Sequence, residues 1–329
     1  MRWLLGLIIV AALAWSGYWV VGANALKRAL TDGIVAARSE GVEVETGSLN
    51  VTGYPNRFDT MIEGLTVQMP QSGITWSLPF LQIFALSYRP NQIIVAMPPE
   101  QRITGPFGEA VLQTESAKGS ATVAPNTDLT LDHTNVVLDD AVLTSNGAEL
   151  RALRVLAASR LAEGDDSGRA HNIGITLDDV RLPQAMADRL GGAAEAVLDG
   201  ATLDATVTFD RPIDRAVYQG ATPQVQALEI KDLKVNWGRI GLDATGDLAV
   251  GADGALQGTL ETSLRNWQDA LQVAAQLGLI PEGNLAQVQQ AIGFVAMMSS
   301  DDGKLTLPLA FRGGQTFLGP VPIGPAPRL

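Results

Sequence analysis

No charged side chain occurs from Trp3 to Val21, and a stretch so apolar has to be kept from water. As a helix rising about 1.5 Å per residue it reaches roughly 28 Å, close to the hydrocarbon thickness of a bilayer. Trp3 at one end and Trp15, Tyr18 and Trp19 near the other are placed like interfacial anchors, whose amphipathic rings favour the headgroup level. Such a segment is a membrane span, a cleaved export signal or a buried helix. Ala23, Asn24 and Ala25 form the small-x-small pattern of a signal-peptidase site. Against cleavage stand an apolar stretch longer than the usual core of about 7–15 residues, and bulky Trp19 beside the cut. The adopted reading is an uncleaved single-pass anchor over residues 1–22, with a cleaved signal and a soluble periplasmic body as the alternative.

Orientation follows less directly. Arg2 precedes the span, whereas Lys27, Arg28 and Arg38 follow it, so the positive-inside count does not favour export of the body. A short signal-anchor can still translocate a long C-terminal domain, and a small-x-small pattern belongs naturally on the outer side. The expectation is an inner-membrane protein with its body in the periplasm.

Composition removes several functional classes. With 23 Lys+Arg against 35 Asp+Glu the formal charge is -12, which repels phosphate backbones and makes nucleic acid an unsuitable partner. Only Lys27 and Arg28 stand ready to meet anionic headgroups. The absence of cysteine removes disulfides, thiolate nucleophiles and thiolate metal sites. An apolar share of 46% with 18% charged residues is that of a folded chain, and 34 glycines imply many turns.

Beyond the span, residues 23–40 continue as a membrane-proximal helix with Leu26, Leu30, Ile34 and Ala37 on one stripe that requires a partner. From Val42 the period changes to two, and this alternation returns in 62–69, 128–138, 173–177, 226–237 and 242–250, as in antiparallel strands with one covered face. Asn146-Gly147, Asp253-Gly254 and Asp302-Gly303 are turn dipeptides. Pro183 opens a short helix that Gly191-Gly192 interrupts. Later, Trp267, Leu271, Ala274 and Gly278 recur at helical spacing after a candidate Asn266 cap, and Asn284 precedes Leu285, Val288, Ile292 and Val295, with Pro281 and Gly283 between the two helices. The proline-rich tail from Gly319 to Pro327 suits an extended, edge-blocking end. The fold class is therefore mainly β with a few helices: an N-terminal transmembrane helix, then a curved antiparallel β-sheet or groove with an apolar helical hairpin near the C-terminus. Residues 41–329 form the β-rich body, with a candidate division into halves near 163–200, where Glu163 to Gly168 reads as a polar linker.

Catalytic signatures are missing. His133 and His171 sit among strand residues without a nucleophile pattern, and no phosphate loop, dinucleotide fingerprint, nucleophile elbow or zincin helix occurs. The pairs Asp139-Asp140, Asp165-Asp166, Asp178-Asp179 and Asp301-Asp302 do not aim two carboxylates at one site, because neighbours on a strand point oppositely. No catalytic residue, metal or cofactor is expected, and the chain is read as a non-enzyme. What remains is the apolar face. Acyl chains bind such a surface by burying methylenes worth about 0.8 kcal/mol each and need no charge. The candidate lining is Val67, Leu129, Leu131, Leu138, Ile175, Leu177, Ile230, Leu242 and Leu260, with a core sealed by side chains as the competing reading.

Three passages, Gly53-Tyr54-Pro55-Asn56-Arg57-Phe58-Asp59, Trp76 to Pro99 and Leu318 to Pro327, together with the N-terminal span, resemble the bacterial domain of unknown function 2125 family. That resemblance implies an envelope protein with a membrane anchor and a long β body, and carries no catalytic residue. Gly53, Tyr54, Pro55, Arg57 and Phe58 read physically as a strand-ending turn. A more distant likeness to AsmA-like proteins lies in Asp253-Gly254, Gly258-Thr259-Leu260 to Asn266, and Leu305 to Phe311. It implies a curved sheet with an apolar groove and a role in lipid movement or envelope upkeep. The expected partners are the lipid bilayer, a phospholipid or other acyl-chain ligand, and envelope proteins. The alternative function is a non-enzymatic scaffold or assembly adaptor that uses the sheet edge, the hairpin or the tail.

Overall fold

The computed structural model describes residues 2–39, 41–106, 108–217, 220–278, 280, 282–298, 304–319 and 321–329. The expected turn at Asp302-Gly303, the pair Asp301-Asp302 and the breaker Pro281 lie outside them. The protein is mainly β with an N-terminal apolar helix, and it divides into two compact units. Unit 1 comprises Met1–Leu138, Leu143–Asn146 and Asp214–Ala221, and unit 2 comprises Asp139–Val142, Gly147–Ile213 and Thr222–Leu329.

Helix α1 runs without a break over Arg2–Ser39, so the apolar segment and the membrane-proximal helix are one rod of 38 residues. No proline interrupts it. It ends where Gly41 takes a φ of +86° and Val42 N–H donates to the Ala37 carbonyl, a left-handed C-terminal cap. The partner that its apolar stripe requires is the sheet of unit 1. Strands β1 (Glu43–Glu45) and β2 (Ser48–Thr52) both pair with β3 (Arg57–Met69), which pairs with β4 (Ile74–Leu86). On its other side β4 carries β5 (Arg89–Met97) and β6 (Glu100–Gly105), which extend to β8 (Ser116–Val123) and β7 (Gly108–Gln113) respectively. All these pairings are antiparallel.

Two clusters dock α1 on this sheet. Ile34 and Ala37 pack against Val44, Ile62, Leu65 and Leu78, while Ala23, Trp19 and Leu26 pack against Phe58 and Ala85. The tightest contact is at Gly22, where an added Cβ would lie 2.7 Å from Phe58 Cζ. A glycine there lets the phenyl ring approach the helix and become buried. Glycine costs a helix interior about 1 kcal/mol relative to alanine, and burial of the Phe58 ring offsets that at roughly 1.5–3 kcal/mol.

Unit 2 is a meander. Strands β10 (Ala148–Leu161), β11 (Ala170–Arg181), β12 (Val197–Phe209), β13 (Val225–Trp237), β14 (Ile240–Val250), β15 (Leu256–Arg265), β16 (Lys304–Arg312), β17 (Gln315–Leu318) and β18 (Val321–Pro325) each pair antiparallel with the next. Ahead of it, β9 (Leu131–Ser145) ends at Asn146-Gly147, where both residues have positive φ, as the dipeptide leads one to expect. Helix α2 (Gln184–Arg189) starts after Pro183 and stops before Gly191-Gly192. Helices α3 (Trp267–Gln276) and α4 (Glu282–Met298) bring Leu271, Val288 and Ile292 onto Leu305, Leu307 and Leu318 of the sheet. Asn266 corrects one expectation. It precedes α3 in a left-handed conformation without a side-chain cap, and its Nδ2 donates to the Arg239 carbonyl instead.

The polar stretch expected as a linker is the β10–β11 connection. Asp165 there accepts hydrogen bonds from the Ser167 hydroxyl and from the backbone N–H groups of Ser167, Arg169 and Ala170. These contacts, led by the Ser167 hydroxyl, hold its carboxyl down to about 2.

Two outcomes follow. Gly22→Val presses a branched side chain on Phe58 and is expected to destabilise unit 1 by about 1–3 kcal/mol. Gly17→Val, with open space around the position, should shift stability by less than about 0.5 kcal/mol. Denaturant titration in detergent compares them, and equal effects would contradict the docking. Because the folded Asp165 carboxyl titrates below its unfolded value, its contribution is complete above about pH 4 and is lost as the pH falls toward about 2. For this half-exposed group it amounts to about 1 kcal/mol after allowance for solvent screening. Unfolding midpoints of the protein and of Asp165→Asn should therefore differ near neutrality and converge in acid.

Candidate functional site

The resemblance motif forms the edge on which α1 is held. Arg57 N–H closes its turn on the Gly53 carbonyl at 2.9 Å, and Phe58 enters the core behind it. Side chains of α1 then bind carbonyls along this edge: Trp15 Nε1 donates to Pro55 at 3.0 Å, Trp19 Nε1 to Arg57 at 2.8 Å and Tyr18 Oη to Ser87 at 2.6 Å. The Tyr54 hydroxyl lies 2.8 Å from Ser16 Oγ, which itself donates to the Ala12 carbonyl. Trp19 also packs edge-on to Tyr54 and against Phe58. Of the aromatic residues expected as headgroup anchors, Trp15, Tyr18 and Trp19 act here as clamps on this edge. Tyr54 stays 57% exposed, and on the neighbouring turn Tyr88 is 59% and Leu86 38% exposed.

On the face of β4 and β5 opposite the docked helix lies a cleft of ≈ 530 Å³. Phe84, Leu86 and Ile94 form its apolar part, and Arg57, Gln92, Ser120, Thr122 and His133 supply polar groups. The Arg57 guanidinium is 2.9 Å from Asp59 and sits over the Phe84 ring at 5.3 Å, so its charge is partly offset. His133 Nδ1 is 2.9 Å from the Asp132 carboxylate. The lining thus combines apolar side chains with hydroxyl, amide and cationic groups.

The nine aliphatic candidates fall into two groups. In unit 1, Val67 packs into the cluster of Leu65, Leu78 and Trp76 under α1. Leu131 and Leu138 are half-buried on β9, and Leu129 precedes that strand at a φ of +51° with its side chain exposed. In unit 2 the register places Ile175, Leu177, Ile230, Leu242 and Leu260 on one face. Ile175 is opposite Leu203 and so in line with Leu233, and Leu177 is opposite Ala201 and so in line with Val235 and Leu242. Ile230 and Leu260 flank Gly246. Both are sealed with Leu248 and Phe311, whereas Ile175, Leu177 and Leu242 are half-buried. The opposite face carries Asp204, Glu229, Asp232, Lys234, Asp243 and Asp247.

The tail is built into unit 2. Strand β18 lies on β17, Ala326 is buried beside Leu256, and Leu256 and Leu329 exchange backbone bonds with Pro327 and Gly254. Asp140 and Asp179 have positive φ, so strict alternation is broken at both pairs. Among the described residues no group of three His, Asp or Glu is placed to hold a metal.

The sequence profile of the family described as "Uncharacterized protein conserved in bacteria (DUF2125)" matches residues 19–327. The chain belongs to the DUF2125 family. The matched segment opens at Trp19 and so includes the docked half of α1, the edge motif and the zipped tail. No curated protein matches the chain.

Sequence reasoning named the edge motif but missed its partner residues on α1 and the cleft beside it. The available signal was β4, whose Leu81, Ile83 and Ala85 oppose Phe80, Gln82, Phe84 and Leu86, so that both faces are largely apolar, as expected where each face has something to cover it. Tyr18→Phe tests the clamp, because it leaves the carbonyl of fully buried Ser87 without this donor. A loss of about 1–3 kcal/mol is expected in denaturant titration, with faster amide exchange over residues 53–58 and 85–88. Unchanged stability and exchange would contradict it.

Proposed function

We propose that the protein is a single-pass membrane protein whose extracytoplasmic body binds the acyl chains of lipids on the apolar face of unit 2. Helix α1 is long and apolar enough to cross a bilayer, and its most apolar window buries nothing in the body. An uncleaved anchor fits better than a signal peptide because the Ala23-Asn24-Ala25 pattern lies inside a continuous helix, with Ala23 buried against Phe58 and Ala85. Cleavage there would remove Trp15, Tyr18 and Trp19 from the edge they clamp.

The observation that carries the lipid reading is the uneven cover of one apolar face. Toward β16–β18 the side chains of α3, α4 and the tail seal it. On β10–β12 the residues Val155, Ile175, Leu177 and Leu203 are only half-buried, whereas His171, Ala205 and Val207 at the other end of the same strands are buried, and the opposite face mixes Arg154, Arg160, Asp178 and Asp204 with small and polar residues. A half-covered strip of aliphatic groups gains from burying methylenes at about 0.8 kcal/mol each, and a curved sheet would make the strip a groove. A role in envelope maintenance through lipid handling follows from this surface and from the anchor. The scaffold alternative loses one of its surfaces, since a tail zipped into the sheet is not a free docking peptide.

Extraction in mild detergent followed by lipid mass spectrometry tests the reading. Acyl lipid should copurify, and Ile175→Gln should reduce it by on the order of 10-fold while leaving circular dichroism unchanged. Lipid-free protein, or lipid content indifferent to substitutions at Ile175 and Leu177, would overturn it.

A further inference from the structure

We infer that the edge of unit 1 formed by residues 53–58 and 86–89 is sunk into the leaflet on the body's side of the membrane, as a lipid-embedded collar around α1. The inference rests on the reading that α1 spans the bilayer, and it starts from a length. The side chains from Arg2 to Ala14 are exposed, and contact with the edge begins at Trp15 and Ser16. Residues 2–14 measure only about 20 Å along the helix axis. The hydrocarbon layer is about 30 Å thick, so a span that starts at Trp3 must include roughly seven more residues, to the neighbourhood of Val21. Tilting the helix enlarges the shortfall. Residues 15–21 are those that carry the edge, so the edge enters the bilayer with them.

The chemistry of the edge suits that position. In hydrocarbon, backbone polar groups need partners within the protein. The carbonyls of Pro55, Arg57 and Ser87 each accept from an aromatic donor of α1, the Ser87 N–H donates to the Asn56 carbonyl, and the Tyr54 hydroxyl meets Ser16. Facing outward are Tyr54, Leu86 and Tyr88 from the sheet and Val20 and Val21 from α1, all exposed. Tyrosine is the side chain that prefers the boundary between acyl chains and headgroups. Arg57, whose guanidinium is shared with Asp59, and Arg89 add cationic groups of the kind that snorkel toward headgroup phosphate to the same edge.

The absence of cysteine permits a direct test with single fluorescent labels on the full chain. Val10→Cys, Tyr88→Cys and Glu115→Cys are labelled with an environment-sensitive dye and placed in phosphatidylcholine nanodiscs that carry lipids spin-labelled at shallow or deep acyl positions. Glu115 is the control, because it lies in the turn before β8, at the strand end opposite Tyr88. The Val10 label should be quenched most by the deep probe, and the Tyr88 label by the shallow probe, roughly twofold or more beyond Glu115. A label at Tyr54→Cys gives the second reading of the edge. Quenching at Val10 with Tyr88 and Tyr54 no different from Glu115 would overturn the collar and leave the membrane span intact. No quenching at Val10 would overturn both.

Discussion

The contact between Phe58 and Gly22 joins the two halves of what this protein has to do. One is a rod apolar enough for lipid, and the other is a β-sheet that folds in water. A flexible joint would leave the body free to swing. Here the ring enters a gap that only a glycine leaves, and three aromatic donors of α1 close on carbonyls of the same edge. Each such bond is worth about 1 kcal/mol net in water and considerably more where no water competes. The helix thereby becomes an element of the fold, and the orientation of the unit 1 sheet relative to the rod is set by side chains rather than by a linker.

Unit 2 solves a different problem. A nine-strand meander exposes one apolar face, and a face of that kind in water has to be covered, bound or both. The chain covers part of it with its own late elements. Leu271, Val288 and Ile292 lie on Leu305 and Leu307, and the proline-rich tail is zipped along β17 with Ala326 inside. The rest is left half-covered, and the proposed lipid binding draws on that remainder.

Much of this architecture was legible because it rests on local periodicity. The 3.6 period of the stripe through Ile34 and Ala37, the alternation in 226–237 and 242–250, and the paired positive φ of Asn146-Gly147 are each written within a few residues. The site was less legible, since it depends on register and on contacts between distant residues. Nothing near Trp15 in sequence says that its indole meets Pro55, 40 positions away. Likewise, Val67 and Ile175 carry the same alternating signal. Only pairing shows that the first packs under α1 and the second faces Leu203 in the other unit. Asn266 looks like a cap by residue type, but its amide is taken by the Arg239 carbonyl.

Helix and sheet act as one piece only if α1 is part of the folded body. Hydrogen–deuterium exchange of the full chain in nanodiscs tests this most directly, read over residues 23–39 of α1 and over β3. If the docked half of α1 belongs to the fold, its amides exchange as slowly as those of Phe58 to Ile62, and both segments lose protection together in denaturant. Exchange of residues 23–39 at the rate of a solvated helix while β3 stays protected would show that the rod is only a tether.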